Sequence, residues 1–177
     1  SPLNSNLENI FDIINNTGKP YVTVPKDFDY DLFDVLDEGY KASALPGTVA
    51  GLLDAHSRFG KLTLKEVLTP VIKQATEGIV VSYDLYKAIE STPRLLKDPE
   101  SKRIYFKNNK PIKENSILKL PDLAQTISLI AENGKDGFYK GVTAKKIDQA
   151  MKNNNGLLSL EDFSEYKAYI RQPISTE

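Results

Sequence analysis

From Pro46 onward, apolar and polar positions alternate along the chain at helical spacing. Val49, Leu52, Leu53 and His56 fall on one stripe, which predicts a helix that Gly60 can stop in a left-handed conformation. Thr63 and Glu66 have the spacing of a capping box. Behind them Leu64, Val67, Leu68, Val71, Ile72 and Ala75 form the cleanest amphipathic period in the sequence. Pro70 lies inside it and, lacking an amide donor, predicts a kink or break. Gly78 ends this helix, and Ser82 caps the next, which carries Leu85 and Ile89.

Pro93, Pro99 and Pro111 then interrupt the pattern. Ile104-Tyr105-Phe106 reads as extended, and Asn108-Asn109-Lys110-Pro111 as a surface turn. Pro121 suits the first turn of a helix whose buried face is Leu123, Ile127 and Ile130, with Gly134 at its end. A helix from Thr143 turns Ile147, Ala150 and Met151 inward and Lys145, Lys146, Asp148 and Lys152 outward, and Gly156 follows it. Ser159 caps a short helix over residues 160–166, and residues 169–174 read as a strand leading out of the chain. Residues 1–45 differ. They are dense in Asn and Asp, with a short helix near Leu7 to Ile14, a turn at Gly18-Lys19-Pro20 and a short strand at Tyr21 to Val24. The pattern predicts an irregular lead-in over 1–45 and a mainly α domain over 46–177.

Composition narrows the classes of function. Of 177 residues, 40% are hydrophobic and 27% charged, the balance of a folded rather than a disordered chain. A net charge of −1 gives no electrostatic footprint for nucleic acid or an anionic membrane. No apolar run is long enough to span a bilayer. Without cysteine there are no disulfides, thiolate nucleophiles or Cys-ligated zinc, and compartment is left open. The chain starts at Ser1 and its one Met is Met151, which reads as an excised or processed piece.

Each candidate for chemistry has a plainer structural reading. His56 is the single histidine and would be the general base, but it shares the apolar stripe of Val49, Leu52 and Leu53 and reads as a packed, hydrogen-bonded or boundary histidine. Asp27, Asp29, Asp31 and Glu38 imitate a calcium loop. Leu32 stands where such a loop needs glycine and Asp34 where it needs an apolar residue, so a solvated acidic loop is the better reading. Pro46-Gly47-Thr48 precedes a helix whose free amides could cradle an anion. Capping by Thr48 and a tight turn at Gly47 account for it without a ligand. Glu132 to Gly141 is glycine-rich without a dinucleotide fingerprint, and reads as a turn with Phe138 packed inward. One His and no Cys give no convincing Ser-His-Asp or Cys-His system.

Two stretches carry a resemblance. Residues 44–82, ALPGTVAGLLDAHSRFGKLTLKEVLTPVIKQATEGIVVS, and residues 120–175, LPDLAQTISLIAENGKDGFYKGVTAKKIDQAMKNNNGLLSLEDFSEYKAYIRQPIS, are similar to the large subunit of γ-glutamyltranspeptidases. The shared elements are PGTVAG at Pro46 to Gly51, the FGK-L pattern from Phe59 and the Pro70 helix closed by Glu77-Gly78. PDLA at Pro121 to Ala124, the NG-x-x-x-FY-x-G run ending at Gly141, NGLLSLEDF and Arg171-Gln172-Pro173-Ile174 follow in the family's order. Residues 12–40 and 98–115 match poorly.

The resemblance implies a helical lobe of an αββα N-terminal-nucleophile hydrolase. In that family a precursor cleaves itself, and a Thr freed at the small subunit's N-terminus attacks the γ-glutamyl amide of glutathione or a related compound. Its own amine can serve as base. That Thr would lie beyond Glu177, and the family's Arg-Glu pair, whose arginine holds the substrate carboxylate, would lie before Ser1-Pro2. The resemblance therefore assigns no catalytic, substrate-binding, cofactor or metal residue to this chain. Its partners would be the remainder of the large subunit and the small catalytic subunit of the same precursor. The rival reading is a stand-alone or degenerate helical interaction module without catalysis.

Overall fold

The computed structural model describes residues 39–171. The chain divides into two units, Ser1–Ala42 and Ser43–Glu177. Of the first, only 39–42 are described, a turn in which the Ala42 amide donates to the Gly39 carbonyl (3.2 Å). The sequence-based helix near Leu7 to Ile14, the strand at Tyr21 to Val24 and the acidic loop from Asp27 to Glu38 lie outside the described residues.

The second unit is mainly helical. In chain order it comprises α1 (Thr48–Phe59), α2 (Leu64–Glu77), β1 (Ile79–Val80), α3 (Tyr83–Glu90), a 3-10 turn (Pro93–Leu96), α4 (Pro99–Tyr105), β2 (Phe106–Lys107), β3 (Lys110–Pro111), β4 (Ile117–Leu118), α5 (Pro121–Asn133), α6 (Asp136–Tyr139), α7 (Gly141–Asn153) and α8 (Leu160–Glu165). Local chemistry sets most of the helix starts. At α2 the Thr63 hydroxyl accepts from the Glu66 amide while the Glu66 carboxylate accepts from the Thr63 amide (2.8 Å). Ser159 and Asp162 repeat this capping box at α8, and Ser82 Oγ accepts from the Leu85 amide at α3 (3.1 Å). The hydroxyl, then the backbone amide, of the capping residue hold the Glu66 and Asp162 carboxyls below their usual range.

Packing runs through the unit as a chain of neighbours. α2 lies along α5, α5 against α6, α6 against α7, and α7 against α8. Antiparallel pairing of β1 with β4 sets Ile79 opposite Leu118 and Val80 opposite Ile117. The Leu120 amide donates to the Ala75 carbonyl (2.8 Å), tying the end of α2 to the start of α5. The best-defined core cluster is Ala50, Tyr139, Ala144 and Phe163, flanked by Leu45, Val49, Phe138, Ile147, Leu158 and Tyr166.

The structure corrects several expectations. Gly60 is extended (φ −67, ψ 137), not left-handed. α2 does not break at Pro70, which sits inside the helix. One missing hydrogen bond in an exposed stretch is outweighed by packing along α5 and a well-capped start. Ile104 and Tyr105 belong to α4 rather than to an extended segment, because Asp98 caps the helix by accepting from the Ser101 amide (2.7 Å) and Pro99 occupies its first position. Asn108 and Asn109 are the two central residues of the β2–β3 hairpin turn, with φ of 53° and 60°, the left-handed pair that a type I′ turn requires.

Asp148 does not face solvent. It shares the buried side of α7 with Ala144 and Met151, and its carboxylate accepts from the Leu160 amide (3.3 Å) and Lys152 Nζ (2.7 Å). A buried carboxylate with two donors is tolerated where an unpaired one would not be. The short C-terminal helix ends at Glu165 rather than Tyr166. Tyr169 to Arg171 form no strand, and Gln172 to Ile174 lie outside the described residues.

Candidate functional site

The turn at Pro46 to Ala50 is the place where sequence motif and structure converge. α1 begins behind Gly47, which is its N-cap in a right-handed conformation (φ −90, ψ −17) and makes no side-chain cap. Thr48, expected to cap, is instead the first residue inside the helix. The missing cap comes from far along the chain. The Tyr139 hydroxyl accepts from the Ala50 amide (3.1 Å) and donates to the Pro46 carbonyl (2.5 Å). One side chain thus satisfies an orphan helix donor and a turn acceptor together.

Aromatic packing fixes that hydroxyl. Tyr139 is 4% exposed. Its ring stacks on Tyr166 (centroids 5.5 Å apart, planes 15° apart), meets Phe138 edge-on (5.0 Å), and lies 6.2 Å from Phe163. Burial pushes the phenol's pKa above its ordinary value, which keeps the donating proton in place. The Tyr166 hydroxyl lies over Gly47, where any Cβ would collide with it, so the glycine of PGTVAG permits a close approach.

The glycine-rich run Glu132 to Gly141 delivers Tyr139 to this position. α6 is a single turn pressed so closely on α5 that Gly137 abuts the Leu129 carbonyl. Thr143 Oγ1, buried on α7, donates to the Gly137 carbonyl (3.1 Å) and pins the turn from the other side. Phe138 packs against the core, as the sequence suggests, but the more deeply buried Tyr139 was not singled out by sequence reasoning. Its signal was present in the paired Phe-Tyr after two glycines; its partner, more than ninety residues earlier, carried none.

The remaining candidates resolve separately. His56 Nε2 lies 2.9 Å from the Leu62 carbonyl, a contact that needs the proton on that nitrogen. It braces the α1–α2 link. The anion cradle at α1 loses its third amide to Tyr139. Among the described residues no cluster of three or more His, Cys, Asp or Glu could hold a metal ion, and no helix is long and apolar enough to cross a membrane.

Grooves also lie among the described residues. One, of about 310 Å³, has apolar walls at Ile104, Leu120 and Leu123 and charged groups at Arg103, Lys119 and Asp122. Arg103 there is already bound to Glu100 (2.8 Å) and Asp122 (3.0 Å). Another, of about 230 Å³, is walled by Leu129, Phe138, Val142 and Ile147. Its hydroxyls, Thr126 and Thr143, both donate to backbone carbonyls. With its hydroxyl held between the Ala50 amide and the Pro46 carbonyl, Tyr139 acts as a clasp on the start of α1.

Tyr139→Phe is therefore expected to lower stability by about 1–3 kcal/mol, the cost of leaving buried polar groups unpaired. Tyr166→Phe, which keeps the stacked ring and loses no intramolecular hydrogen bond, should change it by no more than about 0.5 kcal/mol. Urea unfolding of the two variants side by side checks the difference.

A family model described as Gamma-glutamyltranspeptidase matches residues 21–177. The chain is 40% identical over 136 residues to the glutathione hydrolase proenzyme of Escherichia coli K12, a match covering 76% of this chain and 23% of that protein. It superimposes on the gamma-glutamyltranspeptidase of Helicobacter pylori with a TM-score of 0.78 at 30% identity, covering 85% of this chain and 46% of the other. The gamma-glutamyltranspeptidase of Pseudomonas nitroreducens, solved with L-DON, gives a TM-score of 0.72 at 35% identity, covering 88% and 46%. The chain thus spans about a quarter of the length of the curated relatives it matches.

Proposed function

The chain belongs to the gamma-glutamyltranspeptidase family, and from that premise we propose that it is a non-catalytic helical part of the large subunit of such an enzyme. The parent would transfer or hydrolyse the γ-glutamyl group of glutathione and related γ-glutamyl amides. A threonine outside this chain, freed as a new N-terminus, would attack the amide carbonyl through its hydroxyl. Its own amine would take the hydroxyl proton, and the amine of the substrate would leave. Water, or the amino group of an acceptor, would then take the glutamyl group from the threonine and regenerate it.

What carries this reading is the 40% identity to a relative named as a proenzyme, taken with the lack of any acyl-transfer constellation among the described residues. Such a reaction needs a nucleophile, a base and oxyanion donors together. A chain that folds like part of the enzyme but holds none of these in its described residues serves as scaffold, with the chemistry supplied by the rest of the precursor. Its partners on this reading are the remainder of the large subunit and the small catalytic subunit.

The test is maturation of the full-length gene product. The wild-type precursor is expected to run as two fragments, with a threonine at the N-terminus of the smaller one, and a Thr→Ala precursor as one band. A complete reading frame with no such threonine would leave the non-catalytic helical module as the surviving reading.

A further inference from the structure

We draw no further inference here: the strongest candidate, the groove between the end of α4 and the start of α5 lined by Arg103, Lys119 and Leu123, has its arginine already bound to Glu100 and Asp122, and nothing in the structure shows what would occupy it.

Discussion

Phe163→Ala is expected to cost about 3–5 kcal/mol, the range for emptying a fully buried phenylalanine site. Phe163 is completely buried on α8, 6.2 Å from the Tyr139 ring and 6.3 Å from Phe138, and it belongs to the cluster with Ala50 and Ala144. That cluster draws on α1, α6, α7 and α8, so the cavity would loosen four elements together. Against a total stability of about 5–15 kcal/mol for an ordinary domain, the loss is a large share. Leu157→Ala, three residues before α8 and 64% exposed, should change stability by no more than about 0.5 kcal/mol. Thermal or urea unfolding separates the two; equal midpoints would mean that the aromatic cluster is not the core.

Gly137→Ala is expected to be nearly as damaging, by a different route. A Cβ at this position would drive into the Leu129 carbonyl and the Ile130 amide, which are helix backbone and cannot swing aside. α6 would have to lift from α5, which costs about 1–3 kcal/mol for overpacking and more where backbone must move. Because Tyr139 ends that same turn, its hydroxyl would withdraw from Pro46 and Ala50. The variant should therefore lose hydrogen-exchange protection at the Ala50 amide as well as overall stability. Loss of stability with Ala50 protection intact would separate α6 from the clasp and contradict this account.

Much of the fold was legible because its signals are local. The capping residues Thr63, Ser82 and Ser159, the proline that opens α5, and the glycines that end α2 and α5 act within a few residues of where they stand. Misreadings came from elsewhere. α4 is hidden because Pro99, which opens the helix, also interrupts the hydrophobic pattern. Asp148 was placed outside on polarity alone, when the amide of Leu160 and the Lys152 ammonium make its burial acceptable. Leu52, Val67 and Leu123 carry the pattern of buried positions and are exposed, since periodicity records what a helix is written to bury and not which neighbour is present. The PGTVAG motif was visible as a motif, but its physical role was not. It depends on Tyr139 and Tyr166, whose pairing with it is set only by the folded chain.

The central claim is that this chain is scaffold and that the reacting groups lie outside it. The most direct measurement is release of chromophore from a γ-glutamyl anilide by the purified 177-residue chain and by the matured full-length protein under the same conditions. The account predicts turnover by the full-length protein and none above the uncatalysed rate by the chain. Turnover by the chain alone, abolished by replacing one of its own residues, would contradict it.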